Sequence, residues 1–255
     1  ISTNPNITWD IIQNNSDKDW DWRNISEHSN ITWDIIQNNL DKPWNWKCIS
    51  NNPNITWEII KNNPDKDWDW YWISINSNIT WDIIQNNPDK DWDWVEISRN
   101  PNITWDIIQK NPDKDWDWDR ISENPNITWE IIQNNPDKDW NWVAVAVNPN
   151  ITMEIINNSD HKWRWTDICS NPNITIDFIK QKYKNKYKNK WDWEELSSNS
   201  NITWDNIQSN LDYPWDWCDV SYNKNIHFDI IQDNPDIPWN KRMICVNSMT
   251  KGKIL

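Results

Sequence analysis

A single phrase constrains this chain more than anything else in it. Ile-Ser-x-Asn-Pro-Asn-Ile-Thr-Trp-Asp-Ile-Ile-Gln-Asn-Asn-Pro-Asp-Lys-Asp-Trp-Asp-Trp, followed by two changing residues, recurs at a period of 24. Copies begin at Ile1, Ile25, Ile49, Ile73, Ile97, Ile121, Val145, Ile168, Leu196 and Val220, with a partial copy from Ile244. The copy from Val145 is one residue short, and the copy from Ile168 gains four within 180–190. A period of this size predicts a solenoid, because a unit so short cannot form a core alone and must bury its apolar side against its neighbours. Residues 1–255 are therefore expected to form a single tandem-repeat solenoid with a four-residue Lys-rich insertion.

Within the repeat, Thr8 precedes an apolar pattern and Asp10 follows it, which is the signature of a helix start. The pattern predicts a short helix over Trp9 to Asn14, with Asp10 near its positive end, Ile7, Ile11 and Ile12 as its buried stripe, and Pro at the following corner to stop it. The segment from Trp20 through Trp22 to Ile25 and Ser26 is ambiguous, since Trp-x-Trp alternates like a strand while Trp22 and Ile25 are spaced like a helix. Variation between copies points to a helix. Change concentrates at the two sites after the second Trp and at the site after Ser, as in Arg23, Asn24 and Glu27, and those offsets share one helical face opposite Trp22, Ile25 and Ser26. The expected fold is all-α, a superhelical solenoid of short α- and 3₁₀-helices. Layers packed roughly 10 Å apart would give a curved rod on the order of 100 Å long. A β-solenoid is the alternative, because Ile, Thr and Trp favour strands.

Twenty-seven Trp among 255 residues, with abundant Ile, separate this chain from disordered ones despite a mean hydropathy of −1.00. The excess of 39 acidic over 25 basic side chains, a formal charge of −14, speaks against nucleic acid as a partner. Cys48, Cys169, Cys218 and Cys245 form no CxxC pair and fall at different places in the repeat, which suits free thiols. Asn-Ile-Thr recurs at Asn6, Asn30, Asn54, Asn78, Asn102, Asn126, Asn150, Asn173 and Asn201, each formally a glycosylation acceptor. The same triplet sits at the predicted helix start, so its Asn and Thr are expected to be turn and cap residues. No signal peptide or membrane-spanning run is evident. Ile1 is not an initiator Met and the chain begins inside a repeat, as a fragment or processed form would.

Catalysis and cofactors find little support in the residues. Asp17, Asp19 and Asp21 alternate like the opening of a calcium loop, but Trp22 stands where that loop needs Gly and His28 where it needs Glu. The expected roles of these Asp residues are capping and pairing with Lys. His28, His161 and His227 share no metal spacing, and Ser26, Ser50 and Ser74 have no base beside them, which leaves them as small residues in close helix packing. No catalytic residue, cofactor or metal is assigned. The Trp residues could form stacking platforms for a polymer, but their expected place is the core.

Candidate partner contacts lie on the variable face. Tyr71, Trp72 and Ile75 form one aromatic and apolar set, Val143, Ala144 and Val147 another, and Arg99 and Glu123 are charged members of the same face. The inserted Lys182, Lys184, Lys186 and Lys188 make a secondary basic patch, readable as a solvated loop or as a grip on an acidic partner.

Asn100 to Ile108, with Pro112 to Trp118 and Ile121-Ser122, resembles the Trp-rich tandem repeats of uncharacterised proteins from giant amoeba-infecting DNA viruses, a likeness that covers essentially the whole chain. It implies a viral source and a setting in the host cytoplasm or a virion. Asn4-Pro5 through Asp10-Ile11-Ile12 is similar to half of the leucine-rich variant repeat, also 24 residues long, which implies a superhelix of alternating α- and 3₁₀-helices. The Trp-Asp-Trp half departs from the Val-Arg pattern of that family. The function these features lead one to expect is a non-catalytic scaffold for protein–protein interaction. The alternative is a structural protein assembling end to end into a filament or virion component.

Overall fold

The structure, a computed structural model, describes residues 7–183 and 191–247. Among them there are 20 short helices and no strand, so the chain is an all-helical repeat solenoid and the β-solenoid alternative is not supported. Each repeat contributes a leading and a trailing helix, such as Trp57–Asn62 and Trp70–Ile75, and both are α-helical. The chain divides into two compact halves, Ile1–Ile127 and Thr128–Leu255.

The leading helix starts where the sequence predicts. In the first repeat it spans Trp9–Asn14, with the Thr8 side chain accepting the Ile11 N–H. Thr32, Thr104, Thr128 and Thr152 cap in the same way. These helices end without the left-handed residue that often closes a helix. No described residue has positive φ. Asn does this work instead. Asn87 stands at the C-cap with φ −134°, its Nδ2 donates to the Ile83 carbonyl at 2.7 Å, and its own carbonyl accepts the indole N–H of Trp92 at 2.8 Å. Such a turn needs no Gly, of which the chain has one.

The trailing helix begins at the Asp of Trp-Asp-Trp. The Asp93 carboxylate accepts the Glu96 N–H at 3.0 Å, and that of Asp117 the Arg120 N–H at 2.9 Å. The Asp triplet thus splits into separate jobs. Its third member caps, and its first pairs with the adjacent Lys, as in Lys66–Asp65 at 2.7 Å and Lys90–Asp89 at 2.8 Å.

Isoleucine makes up most of the core, and the tryptophan expected there is present in part, with Trp44, Trp92, Trp140, Trp191, Trp204 and Trp215 buried. Ile25, Ile31, Ile49, Ile55, Ile73 and Ile79 are fully buried, and the Ile12 equivalents Ile36, Ile60 and Ile84 nearly so. Ile11 is exposed and its equivalents Ile59 and Ile83 are half-buried, because a helix of one and a half turns turns only one narrow stripe inward. The indoles pack between layers. Trp92 sits 5.9 Å from Trp57 and 5.1 Å from Trp70 of the preceding repeat, edge-on to the latter. Trp116 repeats this against Trp81 and Trp94 at 5.9 and 5.3 Å. Trp92 is buried, as is Trp204 at the start of a leading helix, whereas Trp57, Trp70, Trp81 and Trp94 keep part of their surface in solvent.

Two polar ladders join successive repeats. Ser74 donates its hydroxyl to the Trp70 carbonyl at 2.7 Å and accepts the Asp93 N–H at 2.9 Å, and Ser50 and Ser98 bridge Asp69 and Asp117 identically. Buried Asn100 donates to the carbonyls of Ser74 and Asn76 at 2.8 and 3.2 Å, while its Oδ1 accepts the Asn102 N–H at 2.9 Å. The Ser74 and Asn100 side chains are sealed from water, and their polar groups are tolerated there because each has a partner. The Ser residues are therefore connectors, beyond the small packing residues that sequence alone suggests.

Candidate partner-binding face

Because the trailing helices of successive repeats pack on one another within each half, the same three offsets of each helix fall into one column. This column holds the sequence-predicted contact residues. In the first half, Tyr71 is 41% exposed and Val95 40%, while Trp72 and Ile75 are half-buried. Tyr71 and Trp72 meet edge-to-face at 5.1 Å. The Glu96 carboxylate of the next repeat, and then burial, push the Tyr71 phenol above its ordinary pKa.

Arg99 and Glu123 are not free charges. The Arg99 guanidinium grips buried Glu96 at 2.6 Å, and Arg120 contacts Glu123 at 3.3 Å. Burial acts against the charge on Arg120, but Glu123, Glu96 and Asp117 outweigh it and raise its pKa. Tyr71, Glu96, Arg99, Arg120 and Glu123 thus form one interacting series over three successive trailing helices. Its charges are largely matched, which leaves the exposed ring of Tyr71 and side chain of Val95 as its most available apolar features.

In the second half, Val143 is 49% exposed and Val147 half-buried, but Ala144, predicted with them on the outer face, is buried at 5%. The middle of the three offsets leans toward the neighbouring layer, as Glu96 and Cys48 also show, and a methyl group there is covered. Further along, the column turns acidic with Asp167, Glu194, Glu195 and Asp219. Ser170 donates to the Glu195 carboxylate at 2.8 Å across one repeat. Burial, then Asp216, Glu194 and Glu195, raise the Asp219 carboxyl. Tyr222, 53% exposed, follows Ser221 at the same offset as Ile75 follows Ser74, so the sequence carried the signal for it.

Of the basic patch, Lys184, Lys186 and Lys188 lie outside the described residues. The Lys182 ammonium lies 5.7 Å from the Phe178 ring centre and 6.0 Å from that of Trp165, a cation–π contact that holds it against aromatic surface. Arg164 stands where other repeats place a capping Asp or Asn and makes no cap hydrogen bond, and its helix shrinks to Trp165–Ile168. His161 stacks on Trp142 with ring centres 3.6 Å apart, and burial lowers its pKa.

Cys48, Cys169 and Cys218 are free thiols. Cys169 stands in a Ser position and does the Ser's work: its Sγ donates to the Trp165 carbonyl at 3.1 Å and accepts the Asp192 N–H at 3.2 Å. Burial pushes this thiol up to about 12. Among the described residues no helix is long and apolar enough to cross a membrane, and no group of three or more His, Cys, Asp and Glu side chains is placed to hold a metal ion. Comparison of the chain with family models, with characterised proteins and with solved structures finds no match.

Proposed function

We propose that this chain is a non-catalytic scaffold whose constant residues build the stack and whose variable column selects a protein partner. The observation that carries this reading is the division of labour along each trailing helix. In Trp70–Ile75, Ile73 and Ser74 are fully buried at positions that stay aliphatic and, in most copies, Ser, whereas Tyr71, Trp72 and Ile75 change from copy to copy and are exposed or half-buried. Exposed aromatic and aliphatic side chains flanked by paired charges are the usual composition of a contact surface.

The non-catalytic part of the reading is supported by the structural employment of the reactive side-chain types. The repeated Ser hydroxyls are used in the ladder, capping Asp carboxylates hold helix starts, and the Cys169 thiol is in a Ser position.

The test is affinity capture of purified candidate proteins by the chain and by a Tyr71→Glu, Trp72→Glu, Ile75→Glu version with unchanged circular dichroism. Loss of a partner by the variant alone supports the column as its binding site. Equal capture by both versions contradicts that assignment, and regular polymers in place of any capture replace the scaffold with a structural element assembling end to end.

A further inference from the structure

We propose that the row of tryptophan-walled clefts in the first half is a docking track for a cationic, proline-rich peptide in the polyproline II conformation. One cleft of about 430 Å³ lies between Trp57, Pro64 and Trp70 on one side and the Asp89 to Asp91 corner of the next repeat on the other. An equivalent cleft of about 420 Å³ follows one repeat on, between Trp81, Pro88 and Trp94 and the Asp113 to Asp115 corner. Lys90 borders both, so they are consecutive notches of one surface.

Three features select the occupant. The first is donor chemistry. The indole N–H groups of Trp68 and Trp92 are spent on the carbonyls of Asn63 and Asn87, whereas those of Trp57, Trp70, Trp81 and Trp94 make no hydrogen bond within the chain and are not sealed from solvent. A polyproline II peptide has no internal hydrogen bonds, so its carbonyls are open to such donors while its rings lie on aromatic walls. The second is spacing. That helix advances about 9 Å in each three-residue turn, and packed α-helices stand about 8–10 Å apart, so successive turns meet successive notches.

The third is charge. At each corner one carboxylate is paired, Asp89 with Lys90 at 2.8 Å and Asp113 with Lys114 at 3.5 Å, while Asp91 and Asp115 are exposed and make no ion pair. One uncompensated carboxylate per repeat fits a peptide with Arg or Lys at every third residue. A neutral glycan would also stack on the rings but would leave that row of charge unanswered, and the phosphates of a nucleic acid would be repelled by it. The track uses residues other than Tyr71, Trp72 and Ile75, so it stands or falls separately from the column.

The test is fluorescence anisotropy with the full chain and a labelled Pro-Pro-Arg repeat peptide of roughly twelve residues, or about four turns. A Gly-Ser-Arg repeat of equal charge controls for electrostatics, and a Pro-Pro-Arg peptide with one extra Pro at its centre breaks the phase. The track predicts binding at least about tenfold tighter than that of either control. It also predicts weakening by Trp70→Phe with Trp94→Phe, which keeps the rings and removes the donors, and by Asp91→Asn with Asp115→Asn. Equal binding of the three peptides, no binding of any, or binding of a β-linked glucan oligosaccharide in their place overturns the proposal.

Discussion

The hydroxyl oxygen of Ser74 accepts the backbone N–H of Asp93 at 2.9 Å, nineteen residues on and one layer away. That N–H opens the turn in which Asp93 caps the next trailing helix, so a single side chain fixes where the following repeat may begin. Removing it leaves a donor without its partner at a packed junction. Ser74→Ala is expected to lower stability by about 1–3 kcal/mol, measured by urea unfolding. Cys169→Ser, which restores the usual residue at the same junction, is expected to change stability by less than about 1 kcal/mol. The native Cys169 thiol, pushed up to about 12, should resist alkylation until the chain is unfolded.

The Asn-Ile-Thr triplets are part of the stack. Nδ2 of Asn102, the atom that would carry a glycan, donates to the carbonyls of Ser77 and Ile79 at 2.7 and 3.0 Å. A sugar there removes at least one of these inter-repeat bonds. If the chain is produced through a secretory route, molecules modified at Asn102 are expected to melt lower than unmodified ones, as separated by mass and compared by calorimetry. Equal melting would show that these bonds do not hold the layers.

Two groups in the second half give opposite pH signatures. The folded pKa of Asp219 is raised, so its contribution is present below the unfolded carboxylate pKa and is lost as pH rises through the folded value. Asp219→Asn should therefore gain on the native chain at neutral pH, with the gain vanishing in acid. His161 is lowered, so its contribution is present above the unfolded imidazole pKa and is lost as pH falls through the folded value. His161→Phe, which keeps a ring against Trp142, should show no such loss. Urea midpoints across the acidic range check both.

Among the described trailing-helix starts of the second half, Arg164 alone cannot cap, since a guanidinium has no acceptor for a backbone N–H. Its ion pair with Asp167 spans 3.5 Å with the Arg side chain 70% exposed, and such pairs contribute little. Arg164→Asp is expected to lengthen the Trp165–Ile168 helix and to stabilise the chain by about 0.5–2 kcal/mol, seen as a higher urea midpoint and stronger helical circular dichroism.

Much of the fold was legible because it is local. Thr8 before Trp9, and the shared face of Arg23, Asn24 and Glu27, needed only one repeat to be understood. What escaped is the chemistry between repeats. Asn100 looks like a turn residue until the carbonyl of Ser74, one layer back, is seen beneath its amide. Trp57 looks like core because indole is the largest apolar side chain, yet isoleucines at Ile55 and Ile60 fill the narrow space inside and leave the rings at the seam. For the candidate face, helical offsets alone brought Tyr71 and Val143 to the surface. They could not show that Ala144 tucks under its neighbour or that Arg99 is already held by Glu96, since both depend on the adjoining layer.

Constant residues build the stack while variable residues remain free to change. Urea unfolding of Asn100→Ala beside Val95→Ala tests this most directly, because the two positions lie on one short stretch of chain and have opposite assignments. Asn100→Ala strips three hydrogen bonds from a buried junction and is predicted to cost about 2–4 kcal/mol. Val95→Ala, at a 40% exposed variable site, is predicted to change stability by no more than about 0.5 kcal/mol. Losses of similar size at both positions would contradict the division between builder and reader on which the proposed function depends.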